Sequence, residues 1–581
     1  MGMIIILMKF WKGIMTKHAL KIWELILLAM ILLGFFMLSL NSLKQNSVTI
    51  DEFAHLPAGI SYLRTRDFRM YPHSPPLLRM ISALPVLKGD VKLPLKQGWE
   101  TGLHFLMGFE FMKENEKAYQ EIFIRARLMI VLLGMILVTL VWWWSRSLYG
   151  PASGIFSATL TAFCPNIMAH SGLVTTDTGT SLLFLATIFS FWRFCRNPSA
   201  LRCILSGLIL GLALLSKFTS LILIPLMIIL GFFYYFFNHN RISLRYLCIA
   251  LLSIFLLSVI VLNTGYLWKG TGKSLEHYQF KSQLVSNLAN KLPAKMPVPL
   301  PYDYVRGFDL QSEENESQYV VYLLGQISVA GWRYYYLIAM AVKMTVASLA
   351  LILASLVSFG WQRKLWLDEM FLLLPPLSII AGISLFTDIN LGLRYILPAI
   401  PFLYIFASRL VSSIFNFKWM SKALFWILLL SHLVSNLLIY PDYLAYFNFL
   451  AGGPKNGYKI LADSNLDWGQ GLLRLKKYMD ENKIERICLA NFGWVDPAIY
   501  GINYQVPYKG ADCDFLAVSA TILVGLPYSL MDHNDPLRLK SREFEWLKEE
   551  KPVAVIGYSI FIYDLSRNNL LRDGIYGLEH P

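Results

Sequence analysis

Charge is what this 581-residue sequence has little of. Asp, Glu, Lys and Arg make up 15% of it, against 56% hydrophobic residues and a mean hydropathy of +0.49. A water-soluble chain of this length carries far more charge on its surface, so a soluble globular enzyme is excluded. Cysteine is scarce too, with six residues, which excludes a disulfide-framed scaffold. There is no internal repeat and no low-complexity tract, which sets aside solenoids and disordered arrays. No nucleic-acid-binding motif accompanies the net charge of +14, so nucleic acid is not an expected partner. The basic excess reads instead as loops that obey the positive-inside rule. No small-residue cleavage pattern follows the first apolar run, which is preceded by Lys9, Lys12, Lys17 and Lys21. That run is expected to stay as an anchor with its basic end in the cytoplasm.

What the sequence has is apolar runs of membrane-crossing length. They predict an α-helical polytopic membrane protein with about eleven spans, near 22–40, 126–144, 152–170, 175–194, 203–218, 220–237, 246–266, 335–359, 369–387, 393–410 and 422–440. Arg146, the Arg193/Arg196/Arg202 group, Arg241 with Arg245, Arg363 with Lys364, and Lys418 with Lys422 fall in alternate short loops. Those loops are expected to be cytoplasmic. Outer loops 41–125 and 267–334 and the tail then face outward. This gives a membrane domain over 1–440 and an extracytoplasmic domain over 441–581, in a plasma (inner) membrane.

The loops have character of their own. Segments 53–66 and 75–88 are apolar enough to lie as helices on the membrane surface. The prolines of "KLPAKMPVPLPYDY" forbid regular helix. In the tail, "GLLRLKKYMDENK" and "REFEWLKEEK" pattern as helices, while "RICLANF", "DFLAVSATILVG" and "VAVIGYSIFIY" pattern as strands, which predicts a small α/β domain. Cys164, Cys195, Cys203 and Cys248 fall in or beside spans and read as packing residues. Cys488 and Cys513 could pair if the tail lies outside the cytoplasm.

Polar chemistry collects at one edge of the spans. Asp51 and Glu52 follow the first, Asp177 opens the fourth, Lys217 closes the fifth, Lys343 is early in the eighth and Arg394 opens the tenth. Charges are costly in lipid, so each is a functional candidate; a charge snorkelling from a span end is the bland alternative. Carboxylates in such a place hold a divalent cation or take a proton from a hydroxyl, with Asp51 and Asp177 as the candidate metal ligands. Lys and Arg bind phosphate at headgroup depth. Adjacent residues of a helix diverge by about 100°, so Asp51 and Glu52 are expected to do different jobs. In "YPHSPPLLRM", Pro75 and Pro76 favour a helix start, and His73 is either a functional group or a cap. His432, within the last span, reads as packing with Ser431 or Asn436.

The blocks "TIDEFAHLPAGISYL" and "YPHSPPLLRMISALPVL" resemble the first outer loop of polyprenyl-phosphate-dependent glycosyltransferases of the GT-C superfamily. The nearest group is family 39, the protein O-mannosyltransferase and aminoarabinose-transferase relatives. "AHSGLVTTDTGTSLLFL", "GLALLSKFTSLILIP", "GWRYYYLIAMAVKM" and "LGLRYILPAIPFL" agree. The resemblance implies transfer of a sugar from a polyprenyl-phosphate donor to a protein, glycolipid or polysaccharide acceptor on the outer face, with inversion. It implies Asp51 as the catalytic acidic residue with Glu52 its neighbour, and Asp177 as the second acidic residue. Lys217 and Arg394 would lie near the donor phosphate; Lys343, a charge at the same edge, is a further candidate phosphate ligand. Where the family has "HPPL" this sequence reads "HSPPL", one residue longer at His73. Some members use a divalent cation and others none.

The tail motif "LADSNLDWGQGLLRL" brings Asp463, Asp467 and Trp468 together. It fails as a calcium loop, since Arg474 stands at the twelfth position. Asp467 reads as the N-cap of the helix that follows, or the motif recognises the acceptor, with Trp468 stacking on a sugar. A transporter or lipid-linked-sugar flippase and a noncatalytic scaffold are the rival readings. Transporters place polar groups at the midplane, whereas here they gather at one edge.

Overall fold

The computed structural model describes residues 21–238, 243–359, 365–413, 419–508, 511, 513–532, 535–538 and 542–566. The expectations attached to Lys9, Lys12, Lys17, Arg241, Arg363, Lys364 and Lys418 lie outside these residues. Among the described residues, seven helices are long and apolar enough to cross a membrane: α1 (Ile22–Gln45), the run Glu116–Tyr149, Asp177–Arg196, Phe218–Phe237, Leu244–Gly265, Trp366–Phe386 and Trp419–Ile439. The other four expected spans differ. Tyr335–Lys343 and Val346–Ser358 form a pair bent by 115°, and the apolar helices Ala200–Leu214 and Ala399–Ser412 are short. The stretch 152–170 splits into Pro151–Ala162 and Pro165–Ser171. Pro165 disfavours helical backbone at Cys164, the residue before it, and this breaks the run.

Two polar layers bracket the apolar middle. At the end away from Asp51, buried Glu24 pairs with Arg146 at 2.5 Å. Glu369 accepts from Tyr149 at 2.9 Å and lies 3.4 Å from Arg409. In between, His432 contacts Thr345 Oγ1 at 2.8 Å and the Leu160 carbonyl at 3.0 Å, so both ring nitrogens are engaged. Its partners come from other helices, not from the expected Ser431 or Asn436.

The helices of the first loop pack into the protein. Helix α2 (Ile50–Thr65) is buried from Glu52 to Tyr62. Helix α3 (Leu77–Ala83) follows Pro75 and Pro76 and crosses α2 closely: a Cβ on Gly59 would stand 2.2 Å from the Arg79 carbonyl oxygen. Helices α4 (His104–Glu114), α5 (Tyr119–Tyr149) and α6 (Asp177–Arg196) come next in the chain. After α7 (Leu244–Gly265), the second loop carries the short α8 (Gln283–Ala289), α9 (Tyr302–Glu316) and a hairpin of β1 (Val321–Leu323) and β2 (Gln326–Ser328).

The tail holds a five-stranded sheet in the order β4-β3-β5-β9-β8, with β3 (Ile487–Ala490), β4 (Tyr504–Gln505), β5 (Phe515–Ser519), β8 (Ala554–Ile556) and β9 (Ile560–Asp564). β3 runs parallel to β4 and β5, and β9 antiparallel to β5 and β8. A separate hairpin joins β6 (Ser529–Asp532) and β7 (Asp535–Arg538). The helix expected at "GLLRLKKYMDENK" forms over Leu472–Glu481, while "REFEWLKEEK" yields only a 3-10 turn at Glu545–Glu549. Cys488 and Cys513 are joined by a disulfide.

Candidate active site

Helix α2 begins with a reciprocal cap. The Thr49 N–H and hydroxyl donate to Glu52 Oε2 at 3.0 and 2.9 Å. This turn sends the two adjacent carboxylates in different directions. Glu52 is fully buried and bound by Arg127, whose Nε reaches Oε1 at 2.7 Å and Nη2 reaches Oε2 at 2.6 Å. The Val174 N–H adds a bond to Oε1 at 2.8 Å. Arg127 spends its remaining N–H groups on the carbonyls of Leu43, Asn46 and Ser47. Glu52, expected in the catalytic pair, is thus enclosed on all sides and braces α2 against α5 and the turn before α6. Asp51 points the other way, partly open to solvent, and accepts from Arg394 Nη1 at 2.6 Å.

A second ion pair stands beside the first. Lys217 Nζ donates to Asp177 Oδ1 at 2.9 Å, and His170 Nδ1 lies 3.8 Å from Asp177 Oδ2. Lys217 sits over the Tyr395 ring at 4.9 Å, and Arg394 over Trp468 at 4.3 Å. Among the described residues, three polar atoms of this cluster are buried with no hydrogen-bond partner: Arg394 Nε, Asp177 Oδ2 and His170 Nδ1. Next to them lies a cavity of about 520 Å³. Its walls are mostly apolar, among them Phe184, Phe218, Ile383 and Phe386, with Lys217, Tyr395, His73, Gln311 and Asn315 as polar members. A long apolar chain fits such walls, and an anion fits Lys217 and Arg394.

His73 reaches this cavity and also a ring cluster. Its ring lies 5.9 Å from Tyr71 and 5.8 Å from His104, and Tyr71 packs against His55 at 4.7 Å. Buried Arg79 fixes the turn by donating to the Tyr71 carbonyl and the Tyr62 hydroxyl, both at 2.7 Å. Burial, helped by Arg79, lowers His55 and His73 to about 4. Burial also lowers His104 to about 3, so all three imidazoles are neutral near pH 7. Burial raises Glu314, on α9, with Asp51 adding to the effect and Arg394 opposing it.

The tail motif is built into this site. The Ser47 N–H donates to the Gln470 carbonyl at 3.1 Å and the Ile50 N–H to that of Trp468 at 3.2 Å. The Ser47 hydroxyl donates to the Gly469 carbonyl at 2.8 Å. The segment leading into Asp51 is therefore stitched to residues 468–470. On the other side, Asn465 Oδ1 accepts from the Leu393 N–H at 3.1 Å, next to Arg394. Gly392 makes this approach possible, with φ +121° and Ser464 Oγ 3.0 Å from where a Cβ would stand. Half-buried Asp463 has its carboxyl raised by desolvation, with Arg394 opposing. Asp467 is not the N-cap of Leu472–Glu481; Gly471 takes that position. The Asp467 carboxylate instead accepts from the Thr521 N–H at 3.1 Å, and burial pushes its carboxyl up to about 7.

Two expectations need correction. Lys343, expected at the donor phosphate, is buried and donates to the carbonyls of Leu444 at 2.8 Å and Asn465 at 2.5 Å. It supports the tail motif from beneath. Asp51 and Asp177, the candidate metal ligands, each face a cation of the chain, Arg394 and Lys217. Among the described residues no three His, Cys, Asp or Glu side chains converge. This donor set does not fit a divalent cation, which needs several free oxygens. Sequence reading missed Arg127, His104 and His170. Arg127 left a signal, a charge inside an apolar run; the two histidines left none.

Residues 121–266 match the dolichyl-phosphate-mannose-protein mannosyltransferase family, a stretch that includes Asp177 and Lys217. No curated protein matches the chain. Among solved structures, the chain is similar to ArnT from Cupriavidus metallidurans in the apo state, at 15% identity and TM-score 0.42, over 70% of this chain and 62% of that one. It is also similar to that protein bound to undecaprenyl phosphate, at 12% identity and TM-score 0.43, over 93% and 97%. The apo oligosaccharyltransferase of Archaeoglobus fulgidus aligns at 12% identity and TM-score 0.46, over 92% and 76%. The family match covers α5 to α7, about a quarter of the chain, and over that stretch the chain is similar to that family.

Proposed function

We propose that this chain transfers a sugar from a polyprenyl-phosphate donor to an acceptor hydroxyl on the extracytoplasmic face, inverting the anomeric carbon. The observation that carries the proposal is the pairing of Asp51 with Arg394 and of Asp177 with Lys217 beside a mostly apolar cavity. The polyprenyl chain occupies the cavity, and the phosphate lies against Lys217 and Arg394, whose Nε has no hydrogen-bond partner among the described residues. Asp51 takes the proton from the acceptor hydroxyl as that oxygen attacks the anomeric carbon. The bond from this carbon to the phosphate oxygen breaks, and its electron pair leaves with the polyprenyl phosphate. Arg394 and Lys217 stabilise the charge that develops on the leaving group. A single displacement of this kind inverts the centre. Glu52 and Arg127 are positioning residues that hold the turn carrying Asp51, and Asn465 and Trp468 hold Arg394 from the tail side.

Purified wild type and Asp51→Asn, given a panel of polyprenyl-phosphate sugars with cell-envelope extract as acceptor source, test the proposal. Release of polyprenyl phosphate by wild type and not by the variant is the expected result. Equal release by both removes Asp51 as the base. Movement of intact lipid-linked sugar across vesicles without release would favour a flippase.

A further inference from the structure

The second loop carries an arm whose outward face the proposed sugar transfer does not use. Residues 269–300 contain five lysines (Lys269, Lys273, Lys281, Lys291 and Lys295) and a single acid, Glu276. The base of the arm closes as a ladder, with the Gly272 N–H donating to the Val298 carbonyl at 2.8 Å and the Leu275 N–H to that of Met296 at 3.0 Å. Its inward side is fastened to α9. Asp309 accepts from the N–H groups of Lys281 and Ser282 at 2.9 and 3.0 Å, and Glu316 from those of Gln283 and Leu284 at 2.7 and 2.9 Å.

The outward side is apolar. Leu284, Leu288, Leu292 and Met296 recur every four residues, and with Leu267 and Trp268 each exposes between 42 and 53% of its surface. Leu267 and Trp268 directly follow the end of the membrane helix α7. They continue the exposed stripe of Leu252, Phe255, Leu256 and Ile260 on that helix. Exposed leucines and a tryptophan at a span end, flanked by lysines, suit the boundary between acyl chains and headgroups. An excess of cations over the single acid suits acidic headgroups.

We infer that the arm 267–300 docks on the bilayer surface through Leu284, Leu288, Leu292 and Met296, with Lys281, Lys291 and Lys295 on anionic phospholipid headgroups, while Lys269 donates to the Arg66 carbonyl and Lys273 lies over the Tyr302 ring. The arm is fastened to α9, and α9 lines the cavity with Phe308, Gln311 and Asn315. A seated arm therefore steadies one wall of that cavity.

The test uses the full chain carrying Leu288→Cys, labelled with bimane in a Cys248→Ala background, because Cys248 is exposed. Protein is placed in nanodiscs of phosphatidylcholine alone or with one third phosphatidylglycerol, each containing a nitroxide-bearing lipid. The expected result is at least twofold stronger quenching in the anionic discs, returning to the neutral level in K281Q/K291Q/K295Q. Equal quenching in both discs overturns the role of the lysines. Absence of lipid quenching, with the label open to iodide in both, overturns docking altogether. A label shielded in detergent together with a doubled particle mass gives the surface to a second copy and likewise overturns it. The readout involves no sugar transfer, so it stands or falls separately from the proposed enzyme.

Discussion

The adjacent pair Asp51 and Glu52 allows one experiment to separate chemistry from construction. Glu52→Gln replaces one carboxylate oxygen with an amide that can only donate. Oε1 accepts from Arg127 Nε and the Val174 N–H, and Oε2 from Arg127 Nη2 and the Thr49 N–H and hydroxyl. Whichever way the amide turns, at least two N–H groups face another donor, and Arg127 is left buried without its counter-charge. Breaking a buried ion pair from one side costs about 3–5 kcal/mol. That is a large part of the roughly 5–15 kcal/mol that holds a domain folded. Asp51→Asn keeps an oxygen for Arg394 in a partly open position, so the cost is about 1 kcal/mol or less. Its transfer rate should fall by about 10²- to 10⁴-fold, the contribution of a placed general base. Thermal unfolding in detergent, followed by size-exclusion recovery, is measured beside release of polyprenyl phosphate. The reasoning is refuted if Glu52→Gln unfolds at the wild-type temperature, or if Asp51→Asn turns over at the wild-type rate.

Three further outcomes are expected. Arg394→Lys keeps the charge but loses the planar fork, and should slow release by about a hundredfold with unfolding little changed; single-turnover kinetics check this. Asn465→Ala frees the Leu393 N–H and the Tyr335 hydroxyl, costing about 1–3 kcal/mol, and should slow transfer more than it weakens donor binding. Asp467 has a folded carboxyl at about 7, above its unfolded value. The folded state therefore holds this proton more tightly, and stability from this group is full below about pH 4 and lost as pH rises through about 7, by up to about 4 kcal/mol. Unfolding of Asp467→Asn between pH 5 and 8 should show a flatter pH dependence than wild type.

The membrane part was legible because hydropathy is a local property, and so was the edge position of Asp51, Asp177, Lys217 and Arg394. The division of labour between Asp51 and Glu52 was readable only as a divergence of about 100° along a helix. Which carboxylate turned inward depended on Arg127, 75 residues away. Lys343 misled for a related reason. A lysine near a span edge reads as a phosphate ligand, but its partners are backbone carbonyls, which any sequence supplies. The break at Cys164 was visible in Pro165, yet the run around it was apolar enough to read as one span.

The tail motif shows most clearly how far a local reading reaches. Read locally, "DSNLDWGQ" offered a calcium loop, a helix cap or an acceptor-binding surface, and each treats the tail as an appendage. The hydrogen bonds argue otherwise. Ser47 and Ile50, just before Asp51, are paired to residues 468–470, while Leu393, just before Arg394, is held by Asn465. The base and the principal phosphate ligand of the proposed reaction therefore take their positions from one short segment, and Lys343 supports that segment from the membrane side. Displacing the motif would shift both groups together. A misplacement of 1 Å costs about a hundredfold in rate, so loss of the tail should abolish transfer even where the membrane helices remain folded.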